Sequence, residues 1–359
     1  PKAIGKEGYH TGVVELLKDE VSKWSKWWKT EDCPAEFCGA NVTIQPRLTT
    51  QEIKKAAASF GKGTSNYEGL PPKSIAIVSD QLVETLAILL HAVEFVGKYP
   101  KEIEDIFVNL IPNKDGTARP IVLFRSLTRL MGKARKPLVA KWEKDFASGA
   151  IFNNSGGRRI ADGIWRLVWR NYFELGGHKH AAEIMWDLKK AFETLDRDIL
   201  WEMGNRSSYP IDVLRLSLST YAMTRRLQLE QGIVSKKLRG VRGICAGSAF
   251  ATFELKLYLL QFASKLIRLK DHLQVSIHGD DIHMHVFATT KDEVVDLSTK
   301  VGLFAQSELQ DIGMMLAGEK EAMLATEPEI ALAISNGLGR ATSKPDLEAI
   351  KLGVDYQLD

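Results

Sequence analysis

Residues 273–286 read LQVSIHGDDIHMHV, and few folds accommodate that order. Apolar and polar side chains alternate on both sides of Gly279-Asp280, a pair suited to a two-residue hairpin turn. With the turn placed there, His278 faces Asp281, Ile277 faces Ile282, Ser276 faces His283 and Val275 faces Met284. Directly opposed residues share a face, and neighbours along a strand alternate. One face then carries Leu273, Val275, Ile277, Ile282, Met284 and Val286, all apolar. The other carries Gln274, Ser276, His278, Asp281, His283 and His285, all polar. This division predicts a hairpin with one face on a core and the other on water or a ligand. Asp280 and Asp281 crowd two like charges at its tip. Aspartate is common in solvated turns, and a bound divalent cation would also offset the repulsion.

With 359 residues, 45% hydrophobic and 26% charged, the chain suffices for two or three domain-sized units of ordinary globular balance. Its net charge of +3 is too small to imply a polyanionic partner. The local distribution says more: from Asn113 to Lys136, seven bases stand against one acid. Three cysteines, Cys33, Cys38 and Cys245, make no disulfide framework. They point to a reducing, intracellular compartment, nuclear or cytoplasmic. Cys33 and Cys38 lack a second ligand pair at zinc-finger spacing and read as ordinary thiols. The longest apolar run, 82–97, is interrupted by Glu84, His91 and Glu94, so no membrane span is expected. No signal peptide is visible, and the chain starts at Pro1 and stops after KLGVDYQLD. It reads as a segment of a longer polypeptide.

Along the chain, helical patterns cover 8–30, 48–61, 79–97, 125–144, 157–177, a stretch starting near Ser248, and 291–312. Trp24, Trp27 and Trp28 lie among Lys23, Lys26 and Lys29. Aromatics among bases can stack on nucleotides, but at helical spacing they more often pack against a neighbouring element. In the 157–177 helix, Ile164, Leu167, Val168 and Tyr172 form one stripe. Residues 106–124 predict two β segments joined by a basic turn at Asp115-Gly116, 181–188 a strand, and 226–244 a second hairpin. Short elements are expected around 313–323 and 351–356. Strands separated by helices of varied length indicate an α+β fold.

Asp187 ends the apolar strand in IMWDLKKAF. Delivered to the hairpin tip, it would complete a three-carboxylate site with Asp280 and Asp281. Magnesium prefers oxygen ligands and commonly combines carboxylates with substrate phosphates. Two such ions can stabilise the attacking and leaving oxygens of an in-line phosphoryl displacement, the chemistry of nucleotidyl transfer. His278, His283 and His285 allow a competing transition-metal reading. The carboxylates suit a hard cation better, which leaves the histidines flanking a nucleic-acid cleft.

The order of segments resembles the reverse-transcriptase family, most closely the non-LTR retrotransposon type, over roughly residues 45 to 359. LTTQEIKKAAASFGKG with GLPP looks like the family's opening fingers segment. LIPNKDGTARPIVLFRSLTRLMGKA (110–134) is similar to its fingers hairpin. DLKKAFETLDR (187–197) matches the palm strand bearing the first catalytic aspartate. GVRGICAGSAFATFELKLYLL (240–260) sits where the template- and nucleotide-positioning segment belongs. HGDD stands at the two-aspartate turn, while GMMLAGEKEAM (313–323) and KLGVDY (351–356) resemble the last palm motifs.

The resemblance implies a right-hand polymerase with fingers and palm, the antiparallel palm sheet backed by helices. Residues 1–45 would be a mostly helical extension, 46–180 fingers, and 181–359 palm with a fingers insertion near 205–240. The thumb would begin beyond Asp359. The implied activity is RNA-directed DNA polymerisation, adding dNTPs to a DNA primer on an RNA template with two Mg²⁺ ions, for which Mn²⁺ can substitute. Asp187 and Asp280 would be the principal metal ligands, with Asp281 beside them. Arg119 and Lys114 would hold the triphosphate, following the logic of cationic clamps. Phe192 would lie under the sugar and exclude a 2′-OH. Ser248 would contact substrate, and Lys320 would assist pyrophosphate departure.

The chain also departs from that pattern. The family's Arg-Gln-Gly is Arg242-Gly243-Ile244, and its Ser-Pro is Ser248-Ala249. A Gln that would touch the nucleotide is thus replaced by Gly243, which implies weakened nucleotide binding. The Gly-Asp-Asp turn is more typical of viral RNA-dependent RNA polymerases, the alternative enzyme. Those carry an aspartate and an asparagine where Glu193 and Lys256 stand here. A degenerate, non-catalytic RNA-binding domain is the alternative from another class.

Overall fold

The computed structural model describes residues 4–5, 8–9, 12–31, 42–64, 68–112, 118–147, 151–155, 160–176, 180–229, 232–269, 273–318, 321–339, 348–351 and 354–357. The chain divides into two compact units. The first comprises Pro1–Lys141 and Phe192–Glu254, the second Trp142–Ala191 and Leu255–Asp359. Two short antiparallel pairs lie near the termini, β1 (Ile4–Gly5) with β2 (Gly8–Tyr9) and β10 (Glu348–Lys351) with β11 (Val354–Gln357).

The first unit holds a three-stranded sheet of β3 (Asp105–Pro112), β4 (Ala118–Leu123) and β6 (Thr224–Gln228). The β3–β4 hairpin forms as expected, in a register that pairs Pro112 with Ala118. Its turn, with Asp115-Gly116, lies outside the described residues. Ile106, Val108 and Leu110 alternate into the core. The 226–244 segment folds back antiparallel on β6 as expected, through bridges at Arg225–Leu238 and Gln228–Val234 rather than a continuous ladder. On its other edge β6 pairs in parallel with β3.

Helix α1 (Val13–Trp28) resolves the question of its tryptophans. Trp24 and Trp28 are buried and stack at 5.6 Å, and the Arg225 guanidinium lies 4.6 Å from the Trp28 ring. They are packing residues. Helix α2 (Thr50–Ala58) begins at the expected capping box of Thr49 and Glu52, and α3 (Asp80–Val96) follows. Helix α4 (Ser126–Phe146) contributes Arg135, whose guanidinium forms a buried pair with Glu94 of α3 at 2.7 Å.

The second unit is built on a four-stranded antiparallel sheet. Its order is β7 (Leu273–His278), β8 (Asp281–Ala288), β5 (His180–Asp187) and β9 (Ala322–Ala325). The hairpin register is the one the alternation demands: His278 opposite Asp281, Ile277 opposite Ile282, Ser276 opposite His283 and Val275 opposite Met284. All six residues of its apolar face are buried. Helices α10 (Lys291–Asp311) and α11 (Pro328–Gly337) cover that face. The backbone approach is close at Gly302 of α10, where a Cβ would meet Leu338 at 2.6 Å and Ile184 at 3.4 Å.

Helix α5 (Ile160–Leu175) departs from expectation in its orientation. Val168 and Tyr172, two residues of the expected stripe, are exposed together with Trp165 and Trp169. Periodicity locates a stripe, but here the aromatic face is the outward one. No helix among the described residues is long and apolar enough to cross a membrane.

Between the sheets' strands run α6 (Ala191–Thr194), α7 (Arg197–Arg206) and α8 (Ile211–Tyr221), with α9 (Ala251–Ile267) after the 240s loop. Arg197 is buried, and its guanidinium donates to four carbonyls: Gly243 at 2.9 Å, Gly240 at 2.9 Å, Tyr221 at 2.8 Å and Arg242 at 3.1 Å. Burial first, then the charge of Arg225, lowers it to about 9. The planar fork reaches carbonyls in several directions, which a lysine ammonium does not. Replacing Arg197 by Lys should lower stability by on the order of 3 kcal/mol, read as the urea midpoint. A midpoint matching the parent would mean that water serves those carbonyls equally well.

Candidate functional site

The three aspartates belong to the second unit, and the strand ladder brings them together. Asp187, the last residue of β5, pairs directly with Asp281, the first of β8. Opposed residues in such a ladder have Cα atoms about 5 Å apart. Asp280 lies at the turn, where its carbonyl accepts the Leu188 N–H at 3.0 Å. The strand end is held from the other side as well. Ala317 donates to the Asp187 carbonyl at 2.8 Å, and Lys189 donates to the Met315 carbonyl at 2.7 Å. Asp187 is 8% exposed, whereas Asp280 and Asp281 are half-buried.

Beyond the tip, the polar face of the hairpin is closed. Ser276, His283 and His285 are buried, contrary to the expectation of a face on water or a ligand. The cause is Glu183 of β5, fully buried between the two histidines. Its Oε1 lies 3.0 Å from His283 Nδ1 and 2.8 Å from His285 Nε2. The edge near Ser276 is covered by residues 151–153. Asn153 donates its backbone N–H to Ile277 at 2.9 Å and its side-chain amide to Ser276 Oγ. These histidines therefore do not flank a cleft. Among the described residues, no three His, Cys, Asp or Glu side chains are gathered as a group able to hold a metal ion, and this holds for Asp187, Asp280 and Asp281 as it does for the histidines.

His278 remains at the tip. Burial first, and then the Lys256 ammonium, hold it below the usual imidazole range, while Asp280 pulls the other way. Lys256 itself is buried, ion-paired with Glu143, and donates to the Asn154 carbonyl at 3.2 Å. Burial lowers it, against the raising effect of Glu143. Sequence reasoning found neither the Lys256–Glu143 pair nor Glu183. A usable signal existed for Glu183: a carboxylate inside the apolar run AAEIMW requires a buried partner.

The other predicted residues lie apart from the aspartates in the chain's division. Arg119, Phe192 and Ser248 belong to the first unit. Arg119 is exposed on β4, and Phe192 is half-buried with its carbonyl accepting the Ile244 N–H at 2.7 Å. The Ser248 hydroxyl accepts the Phe250 N–H at 3.2 Å and touches the Tyr221 hydroxyl at 2.9 Å. Lys114, Lys320, Cys33 and Cys38 lie outside the described residues. Cys245 is a buried free thiol.

Gly243 is not a position where a side chain has merely been lost. Its φ is +82°, and a Cβ there would sit 2.5 Å from the Glu193 carbonyl oxygen. Its N–H donates to Leu195 at 2.7 Å, and Ile244 beside it is buried. The backbone here thus requires a glycine, whatever side chain the family carries at this place.

Solved structures similar to this chain include telomerases. Apo telomerase from Candida tropicalis truncated from its C-terminal domain matches with a TM-score of 0.50 at 14% identity, over 72% of this chain and 54% of that one. The apo telomerase from Candida tropicalis gives 0.49 at 14%, over 72% and 47%. Telomerase from Candida albicans in complex with a TWJ fragment of telomeric RNA gives 0.48 at 10%, over 77% and 50%. The chain thus spans about half the length of these proteins. At such identity the likeness concerns the fold, a mixed α/β architecture containing antiparallel sheets. No protein-family model and no curated protein matches the sequence.

Gly243→Gln, a change toward the family's residue, should destabilise the first unit by roughly 2 kcal/mol or more, from the left-handed backbone and the carbonyl contact together. Chemical denaturation measures this directly, and a neutral result would show that the 240s loop can relax.

Proposed function

We propose that this chain is the fingers and palm of an RNA-directed DNA polymerase of the reverse-transcriptase type, with the non-LTR elements as its nearest family. The observation that carries the reading is the register that sets Asp187 against Asp281, with Asp280 at the adjoining turn. The telomerase-like fold supports it, since telomerases are themselves related to reverse transcriptases. In this reading residues 46–180 are fingers and 181–359 palm with a fingers insertion near 205–240, bounds that differ from those of the two compact units.

The donor set fits magnesium in one specific sense. It consists only of carboxylate oxygens, the ligand type that this ion combines with substrate phosphates. Asp187 and Asp280 would hold it, with Asp281 alongside. The bound ions would supply charge stabilisation for the attacking and leaving oxygens of the displacement. The chain's own residues then have the following tasks. The aspartates place the primer 3′-OH in line with the α-phosphate. By the family resemblance, Arg119 and Lys114 would hold the triphosphate and Lys320 would assist pyrophosphate departure. Phe192, by the family resemblance, would lie under the sugar. Lys256 is engaged by Glu143 and does not stand in for the asparagine of the RNA polymerases, which favours dNTP over rNTP use.

Primer extension on an RNA template, with dNTPs and rNTPs compared in Mg²⁺, tests the reading. Asp187→Asn should reduce extension by roughly 10³-fold or more while the protein stays folded. Undiminished extension would exclude catalysis at these carboxylates, and a folded parent inactive in both Mg²⁺ and Mn²⁺ would favour a non-catalytic RNA-binding domain.

Separately, Phe192→Val should raise the rNTP/dNTP ratio of kcat/KM by roughly tenfold. An unchanged ratio would make Phe192 a packing residue only.

A further inference from the structure

The first unit contains a buried acid that nucleotidyl transfer does not use. Glu254, near the start of α9, has no solvent exposure. Its Oε2 is in contact with the hydroxyl of Tyr221, which is also fully buried. The same hydroxyl lies 2.9 Å from Ser248 Oγ, which accepts the Phe250 N–H. A phenol has one hydrogen and cannot donate to Glu254 and Ser248 together. The direction of the chain must therefore be set at one end.

Ser248 lines a cleft of 210 Å³ within this unit. Arg129, Lys133 and Lys136 of α4 line it too, the first two over the Phe60 ring at 5.7 Å. Of the acids there, Glu94 is paired with Arg135, and Asp212 accepts the Gln45 N–H. Cations on an aromatic wall suit a phosphodiester and its bases.

We propose that Glu254, Tyr221 and Ser248 form a proton-directed hydrogen-bond chain that decides whether Ser248 offers a donor or an acceptor to a nucleic-acid phosphate in this cleft. The proposal rests on the polymerase reading for the identity of the ligand, but not for the chain itself. With Glu254 ionised, Tyr221 donates to the carboxylate and Ser248 donates to Tyr221. Ser248 then presents only lone pairs to the cleft, which repel a phosphate oxygen. With Glu254 protonated, its O–H donates to Tyr221, Tyr221 donates to Ser248, and the Ser248 O–H turns to the cleft. Tyr221 and Ser248 act here as positioning residues.

The switch falls near neutrality. Burial pushes Glu254 up to about 7, while hydrogen bonds from Ser217 and Tyr221 pull the other way. The groups facing it are Ser217 and Tyr221 from α8, Tyr209 from the segment before α8, and Cys245 from the 240s loop. Burial raises Tyr209, Tyr221 and Cys245 as well, so they stay protonated through this range.

Binding of a labelled single-stranded oligoribonucleotide, measured from pH 6 to 8 at constant salt, tests this. Affinity should rise roughly tenfold as pH falls through about 7. Glu254→Gln, whose amide donates as the protonated acid would, should hold the low-pH affinity throughout. Tyr221→Phe should abolish the pH dependence. Unaltered pH dependence in both variants overturns the proposal. If the parent binds no RNA at any pH, the polymerase reading fails instead, and carboxyl ¹³C titration decides the chain alone. A Glu254 midpoint that rises in Tyr221→Phe supports it, and an unmoved midpoint overturns it.

Discussion

Two carboxylates set directly opposite each other repel, and the second unit is built so that they cannot separate. Asp187 and Asp281 form the last rung of the β5–β8 ladder. Slipping that ladder by one residue would turn Asp281 toward the core and Ile282 toward solvent. The register is held by Ile184, Ile282, Met284 and Val286, all fully buried, and by the helices packed over them. Each buried aliphatic side chain contributes about 1.5–3 kcal/mol, so a slip costs far more than the Coulomb repulsion it would relieve. Apolar burial on one face thus maintains charge density at the tip of the other.

The polar face is graded along the strands. Phe287, Ala181, Met185 and Leu324 make a hydrophobic cluster on it. Glu183, His283 and His285 follow, polar but buried and mutually bonded. The aspartates come last, where the sheet meets its turn. Asp280 and Asp281, at the tip, are half-buried where Glu183, His283 and His285 are buried.

Buried polar groups do comparable work in the first unit. Arg197 ties the 240s loop to α7 and the end of α8 through four carbonyls. The loop's glycine at Gly243 permits the approach that this requires. Together they place Ile244 against Phe192 and lead the chain to Ser248, so the segment's shape depends on a desolvated cation satisfied on all sides.

The sequence by itself determined the hairpin, its register, the strand ending at Asp187 and most helices. Period-two alternation, a Gly-Asp turn and capping boxes are local properties that a few neighbouring residues decide. Tertiary structure alone decided that the histidine face is closed, that α5 turns its aromatics outward, and that β6 joins β3 in parallel. It alone decided that Gly243 has no room for a side chain. The histidines depend on Glu183 and Gly243 on Glu193, partners distant in sequence, as Lys256 depends on Glu143. A buried polar group announces that it needs a partner, but only the packed chain determines which one arrives.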